Sequence, residues 1–274
     1  MLKIAVCQLP LNIEQPEENI TIANLAIRQA ASQGARLVVL PELTNSGCVF
    51  KNITELVERA TTLNGHIVEE WAALAKELKL VLVAGLAIND LGHFYNASVI
   101  IDSSGVRGWY KKVHLWGNEA DFFTAGSEAP LVVETEIGRV ATMVCYDMEF
   151  PEWVRLTMLA DANILALPLN WPDSGRPAGQ TPLAAILIQA AAAQNKLIIA
   201  AADRTRAERG TVWAGSSVIA DSDGVVLIIA DQENQDETQV LVVEVEVPVD
   251  RRMGPRNDAR TDRRPDLYKK ILAT

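Results

Sequence analysis

Val140-Ala141-Thr142-Met143-Val144-Cys145-Tyr146-Asp147-Met148-Glu149-Phe150-Pro151-Glu152 is an apolar run that ends on a cysteine and is followed by a proline and an acid. Residues 139–144 read as a buried strand. Pro151 with Glu152 opens a helix reaching about Leu159, because proline is tolerated in the first helical turn and an acid there complements the helix dipole. A strand that turns sharply into a helix can hold a nucleophile at the edge of a sheet, with backbone N–H groups of the turn free to face an oxyanion. Sulfur attacks a carbonyl or nitrile carbon once it is a thiolate, so a cysteine placed here suits acyl transfer. On its own, a cysteine at a strand end is more often a small core residue.

The same alternation of strand and helix continues on both sides. Residues 3–9 form a strand, Pro16 to Gly34 bound a helix with Ile20, Ala23, Ile27 and Ala30 on one side, and Leu37 to Leu40 form a second strand that stops at Pro41. Residues 65–79 are helical and 80–87 a strand, while 94–102 and 106–111 pair as a hairpin around Ser103-Ser104-Gly105. Beyond the cysteine come a strand at 164–167, an Ala-rich helix at 182–194, and strands at 197–202, 213–220, 225–230 and 239–246. Hairpins interspersed with helix crossovers indicate mixed sheets covered by helices. With no Ser/Gly linker, low-complexity tract or repeat, residues 1–249 read as a single domain.

Residues 250–274 differ. Six arginines (Arg251, Arg252, Arg256, Arg260, Arg263, Arg264) face four aspartates, and Leu267 to Leu272 spaces apolar residues along one helical face. This segment reads as an arm packing on another surface, in the same chain or in a second subunit; a frayed tail is the alternative.

Composition narrows the partners. The net charge of −10 repels phosphate backbones and anionic lipid, so neither nucleic acid nor membrane is expected. No apolar run is long enough to cross a bilayer, and Met1-Leu2-Lys3-Ile4 enters a strand directly with no signal-peptide pattern, so a cytoplasmic location is expected. Cys7, Cys48 and Cys145 are scattered, as are His66, His93 and His114, so no disulfide framework and no metal site is expected.

Two further groups carry possible chemistry. Lys112 ends the hairpin strand in Trp109-Tyr110-Lys111-Lys112-Val113-His114; alternation sends Lys111 and Lys112 to opposite faces, so only one can enter a site. Its ammonium could stabilise charge on an attacked carbonyl oxygen, or it could be a solvated end on an apolar stem. Glu42, in Leu40-Pro41-Glu42-Leu43, follows the C-terminal end of a strand, where open α/β sheets place ligand loops. It could move protons to and from the thiol, or serve as a loop or capping carboxylate.

Taken together, Pro41-Glu42, Tyr110-Lys111-Lys112-Val113-His114-Leu115 and Cys145-Tyr146-Asp147 with Phe150-Pro151-Glu152 resemble the nitrilase superfamily of carbon–nitrogen hydrolases. Leu167-Pro168, Asn170-Trp171-Pro172, Gly215-Ser216-Ser217 and Asp223-Gly224 add to the likeness, which spans nearly the whole chain. The resemblance implies a four-layer α-β-β-α sandwich. It also implies Cys145 as nucleophile, Glu42 as general base and Lys112 as oxyanion stabiliser, with the N–H of Tyr146 as second oxyanion donor. Glu119, seven residues before Gly126, matches the family's second glutamate, although it also reads as a surface acid. No metal or organic cofactor is implied. Subunits would pair through the helix after the cysteine, with the C-terminal arm crossing between them in a homodimer or larger homo-oligomer.

Within the family, Cys145 to Trp153 with Asn170-Trp171-Pro172 looks most like amidases of small aliphatic amides. Glu149, Asn170 and Trp171 are the expected substrate contacts; Glu149 also reads as a cap before Pro151. Three alternatives stand beside this: an N-carbamoyl amino acid amidohydrolase using Arg176 or Arg204 to bind a carboxylate, a true nitrilase, and a catalytically silent binding protein.

Overall fold

The computed structural model describes residues 1–177, 179–232 and 237–272. Two six-stranded mixed sheets make up its centre. The first has the order β12-β1-β2-β3-β4-β5, with β1 (Leu2–Gln8), β2 (Leu37–Val39), β3 (Val81–Asp90), β4 (His93–Asp102), β5 (Gly105–Lys111) and β12 (Gln239–Val245). The second has the order β11-β10-β9-β8-β7-β6, with β6 (Leu131–Thr135), β7 (Gly138–Thr142), β8 (Ile164–Pro168), β9 (Ile198–Ala202), β10 (Val218–Ala220) and β11 (Val226–Ile229). In each sheet three central strands run parallel, β1-β2-β3 and β7-β8-β9, and antiparallel strands flank them.

Parallel neighbours need crossovers, and helices supply them. Helix α1 (Pro16–Ser32) links β1 to β2, α2 (Ile53–Arg59) and α3 (His66–Leu78) link β2 to β3, α4 (Pro151–Leu159) links β7 to β8, and α5 (Leu183–Asn195) links β8 to β9. Pro16 and Pro151 each sit in the first turn of their helix with an acid beside them, as the sequence anticipates. Ala23, Ile27, Trp71 and Leu74 of α1 and α3 cover the outer face of the first sheet with Ala5, Cys7 and Leu82. Val154, Ala185 and Ile188 of α4 and α5 cover the second with Ala141, Leu165 and Ile199. Ile4, Val6, Val39 and Val83 meet Val140, Ile164, Ala200 and Ile219 between the sheets, every one of them fully buried. The layers are therefore helix, sheet, sheet, helix, the sandwich expected.

Three local readings need correction. Residues 53–59 are helical and 131–135 a strand; neither was anticipated. The strand expected at 213–220 begins only at Val218, because the preceding backbone bonds elsewhere: Ala214 N–H to Trp171 O at 2.8 Å and Ser216 N–H to Asp203 Oδ2 at 3.0 Å.

Residues 250–272 lie along the ends of α4 and α5; residues 273–274 of the expected arm fall outside the described residues. Arg260 donates to Met158 O at 3.0 Å and Leu159 O at 2.7 Å, and Arg251 donates to Ala162 O and Lys196 O. Cations thus meet the free carbonyls that helices leave at their C-termini. Among the described residues no helix is long and apolar enough to cross a membrane.

Candidate active site

The ends of five strands converge. Glu42 lies in the turn after β2, Lys112 directly follows β5, Cys145 follows β7, Asn170 follows β8 and Asp203 follows β9. The backbone at Glu42 presses onto β3: a Cβ on Gly85 would lie 2.4 Å from Glu42 Cα and 2.6 Å from Pro41 O, so only glycine fits beneath the turn. Glu42 N–H is held by Leu169 O at 3.3 Å and Lys112 N–H by Asn96 O at 2.8 Å.

These contacts deliver the three predicted groups to one buried cluster. Lys112 Nζ is 2.7 Å from Glu42 Oε1 and 2.9 Å from the Glu119 carboxylate. Glu42 and Lys112 are each 1% exposed, so the solvated reading of the lysine gives way to a buried charged cluster; Cys145, 4% exposed, borders that cluster and also packs in the apolar core of the second sheet. Lys111, as alternation requires, points the other way, over the rings of Tyr95 and Trp109. Glu119 is not a surface acid. It is buried in a 3₁₀ turn at 117–121, and its Oε2 accepts the N–H of Trp116 at 2.8 Å.

Charge inside this cluster is strongly coupled. Burial opposes the Lys112 ammonium, but Glu42, Glu119 and Cys145 outweigh it and hold the lysine protonated well above its ordinary range. Burial, assisted by the negative charge of Glu42, pushes the Cys145 thiol up; Lys112 and the backbone N–H of Asn170 pull against that shift. Burial likewise raises Glu119, with Lys112 opposing and Glu42 adding. At rest the thiol therefore keeps its proton until a base takes it.

Cys145 has φ of +47°, a left-handed backbone that a non-glycine residue adopts at a cost. Asp147 secures this turn. Its Oδ2 accepts Val144 N–H at 3.2 Å and Tyr110 OH at 2.8 Å, and its Oδ1 accepts from His114. Beside it, the N–H of Tyr146 makes no hydrogen bond among the described residues.

Cys145 opens onto a cleft of about 540 Å³. Trp116, Tyr146, Trp171, Pro172 and Leu183 give it apolar walls, and Glu149, Asp173 and Arg176 supply charge. Trp116 and Tyr146 meet edge-on at 4.8 Å. Two of the three expected substrate contacts, Glu149 and Trp171, line this cleft. The Asn170 side chain does not: it is 4% exposed, and neither of its amide atoms has a hydrogen-bond partner among the described residues. Of the two arginines considered for a carboxylate, Arg176 lines the cleft. Arg204 does not; it is fully buried, paired with Glu208 at 2.8 Å and stacked over Trp213.

Three positioning groups escape a reading of the sequence: Asn96, Asp147 and Asp203. Asp203 Oδ1 accepts the N–H groups of Trp171 and Arg204 at 3.1 and 2.9 Å and its Oδ2 that of Ser216, tying two walls of the cleft together. Among the described residues no group of three or more His, Cys, Asp or Glu side chains is arranged to hold a metal ion.

The model of the carbon–nitrogen hydrolase family matches residues 3–251. The chain belongs to the carbon–nitrogen hydrolases. Relatives of this hydrolase include a protein named nitrilase from Pyrococcus abyssi, 32% identical over 98% of this chain and 99% of its own. A 2-oxoglutaramate amidase from Bacillus subtilis is 29% identical over 97% of this chain and 98% of its own. Among solved structures, a mutant of the amidase from Nesterenkonia sp. AN1, carrying acrylamide added at its active-site cysteine, superposes with a TM-score of 0.81 at 25% identity, covering 99% of this chain and all of that one. This carbon–nitrogen hydrolase is thus an enzyme of the nitrilase superfamily with amidase relatives.

Proposed function

We propose that this enzyme hydrolyses a small amide to a carboxylate and ammonia through a thioester on Cys145, with Glu42 as the base. The observation that carries the reading is the buried Lys112 ammonium, shared between Glu42 and Glu119 and coupled to the Cys145 sulfur. Glu42 takes the thiol proton, and the thiolate attacks the amide carbon. The oxyanion is met by Lys112 Nζ and the N–H of Tyr146, donors of a kind typically worth ~3 kcal/mol of barrier each. Glu42 returns the proton to the nitrogen, the C–N bond breaks and ammonia leaves. Water, deprotonated by Glu42, then attacks the thioester and releases the acid and the thiol.

Glu149 and Trp171 are the proposed substrate contacts. Burial raises the Glu149 carboxyl, no ion pair reaches it among the described residues, and it lines the cleft, which suits a substrate whose far end donates hydrogen bonds or carries positive charge. An N-carbamoyl amino acid is the second reading, favoured by Arg176 on the same wall. Residues 250–272 are proposed as an arm at a homodimer interface; Met253, Leu267, Tyr268 and Ile271 are 39–63% exposed, leaving apolar surface for a second copy to cover.

The test is turnover of a panel of aliphatic amides, nitriles and N-carbamoyl amino acids, with mass spectrometry of the quenched enzyme. An acyl adduct on Cys145, ammonia release, and loss of both in Cys145→Ala are expected. Turnover by folded Cys145→Ala would reject the reading. Lys112→Ala should lower kcat by about 100-fold or more; a rise in KM alone contradicts the oxyanion role.

A further inference from the structure

Glu42 Oε1 receives two hydrogen bonds, from Lys112 Nζ at 2.7 Å and from Asn96 Nδ2 at 2.6 Å. The same two donors also reach Glu119, Asn96 Nδ2 at 3.1 Å and Lys112 Nζ at 2.9 Å. Four side chains thus close a ring in which carboxylates alternate with an ammonium and an amide. Asn96 is fully buried on β4. Because carboxylates only accept, its NH₂ must face the two acids, and this leaves its Oδ1 buried without a partner. An unpaired buried acceptor is unfavourable, so the orientation is held by what the NH₂ does for the two acids.

An sp² oxygen has two lone pairs, and on Glu42 Oε1 both are filled. No hydrogen bond reaches Oε2 among the described residues. We propose that Asn96 is a positioning residue that, with Lys112, saturates Oε1 of Glu42 and so makes Oε2 the atom that exchanges protons with Cys145. The inference rests on the reading of Glu42 as base. In the cycle, Oε2 takes the proton as the S–H bond breaks, and the same oxygen delivers it to the departing nitrogen. A neutral amide suits this place. A second ammonium would weaken the base further, and a third acid would repel the two already present.

The groups facing Glu42 electrostatically are Lys112, Glu119, Cys145, Asp203 and Cys48, and all remain when Asn96 is changed. The experiment follows alkylation of Cys145 by iodoacetamide, mapped by peptide mass spectrometry, and kcat/KM for an amide, between pH 5 and 9. Wild type, Asn96→Ala, Asn96→Asp and Glu42→Gln are compared. Losing a hydrogen bond to the ionised carboxylate makes it hold its proton to higher pH. Asn96→Ala should therefore move the acidic limb of both profiles up by about one pH unit, a tenfold change at fixed pH, with kcat falling more than KM rises. Asn96→Asp should move it further in the same direction. An acidic limb that stays in place in a folded Asn96→Ala, whatever the overall rate, overturns the inference. If that variant does not fold, Asn96→Ser, which keeps a shorter donor, is read by the same criterion. Alkylation unchanged in Glu42→Gln would instead defeat the base assignment, so the two failures are distinguishable.

Discussion

Asp147 Oδ1 accepts both the backbone N–H and the ring Nδ1–H of His114, at 2.9 and 2.7 Å, and so fastens the turn that carries Cys145 to the chain leaving Lys112. The imidazole is stacked on Phe150 at 3.8 Å, which closes the same link from the far side of the turn. The segments that carry Cys145 and Lys112 are therefore held in register by a carboxylate that touches neither side chain.

Each oxygen of Asp147 accepts two donors, and Asp147→Asn turns one of these oxygens into an NH₂ that faces two of them. Leaving buried groups unsatisfied costs about 1–3 kcal/mol each. The variant should melt several degrees lower and lose tenfold or more in kcat, with Cys145 alkylation slowed. Calorimetry and steady-state kinetics that match wild type would contradict the fastening role.

Gly85→Ala puts a methyl group against the backbone of Pro41 and Glu42. The strand or the turn must move, at a cost of about 1–3 kcal/mol. Activity should fall more than stability, because the displaced segment carries Glu42, the proposed base. A variant with a lowered melting temperature but unchanged kcat would show that the turn tolerates the shift.

Asp203 gives the protein a pH-dependent element. Burial pushes its carboxyl up to about 7, whereas the unfolded chain releases this proton near 4. Between those values the folded state binds more protons than the unfolded state, so this group's contribution to stability declines as pH rises through that window and is level below it. The melting temperature of wild type minus that of Asp203→Asn should narrow by several degrees from pH 5 to pH 8. A difference that is constant over the range would contradict the assignment.

Glu149→Gln keeps the shape of the cleft wall and removes its charge. For an amide bearing a distal amine, KM should rise about tenfold with kcat nearly unchanged, and for an uncharged amide both should hold. Equal effects on the two substrates would remove Glu149 from recognition, since the loss of uniform binding appears in KM alone.

Much of the fold was readable because its strands are apolar runs that stop at Pro41, Lys112 and Cys145, and those stops are the site. Helix α2 escaped notice because Leu56 is its one buried residue, too little to set a period. Strand β6 has only three apolar residues, Leu131-Val132-Val133, before Glu134-Thr135, too few to set an alternation, yet it pairs along its whole length with β7. The arrangement behind the site was hidden for a different reason. Asn96, Asp147 and Asp203 are polar residues whose importance lies in which backbone and side-chain groups come to meet them from distant segments. Asp147 stands in the quoted cysteine motif, but its role there is not legible, and nothing local marks the other two except that an asparagine inside the buried half of β4 needs a partner. Arg176 and Arg204 looked interchangeable in sequence, and only burial separates them.

Glu42 and Lys112 hang from one sheet, and Cys145 and Asn170 hang from the other. The apolar layer of Val6, Val39, Ile164 and Ala200 therefore acts as a shim whose thickness sets the gap between Cys145 and the Glu42–Lys112 pair. A methyl group added or removed there, remote from any substrate, would retune turnover by changing how far apart two slabs stand.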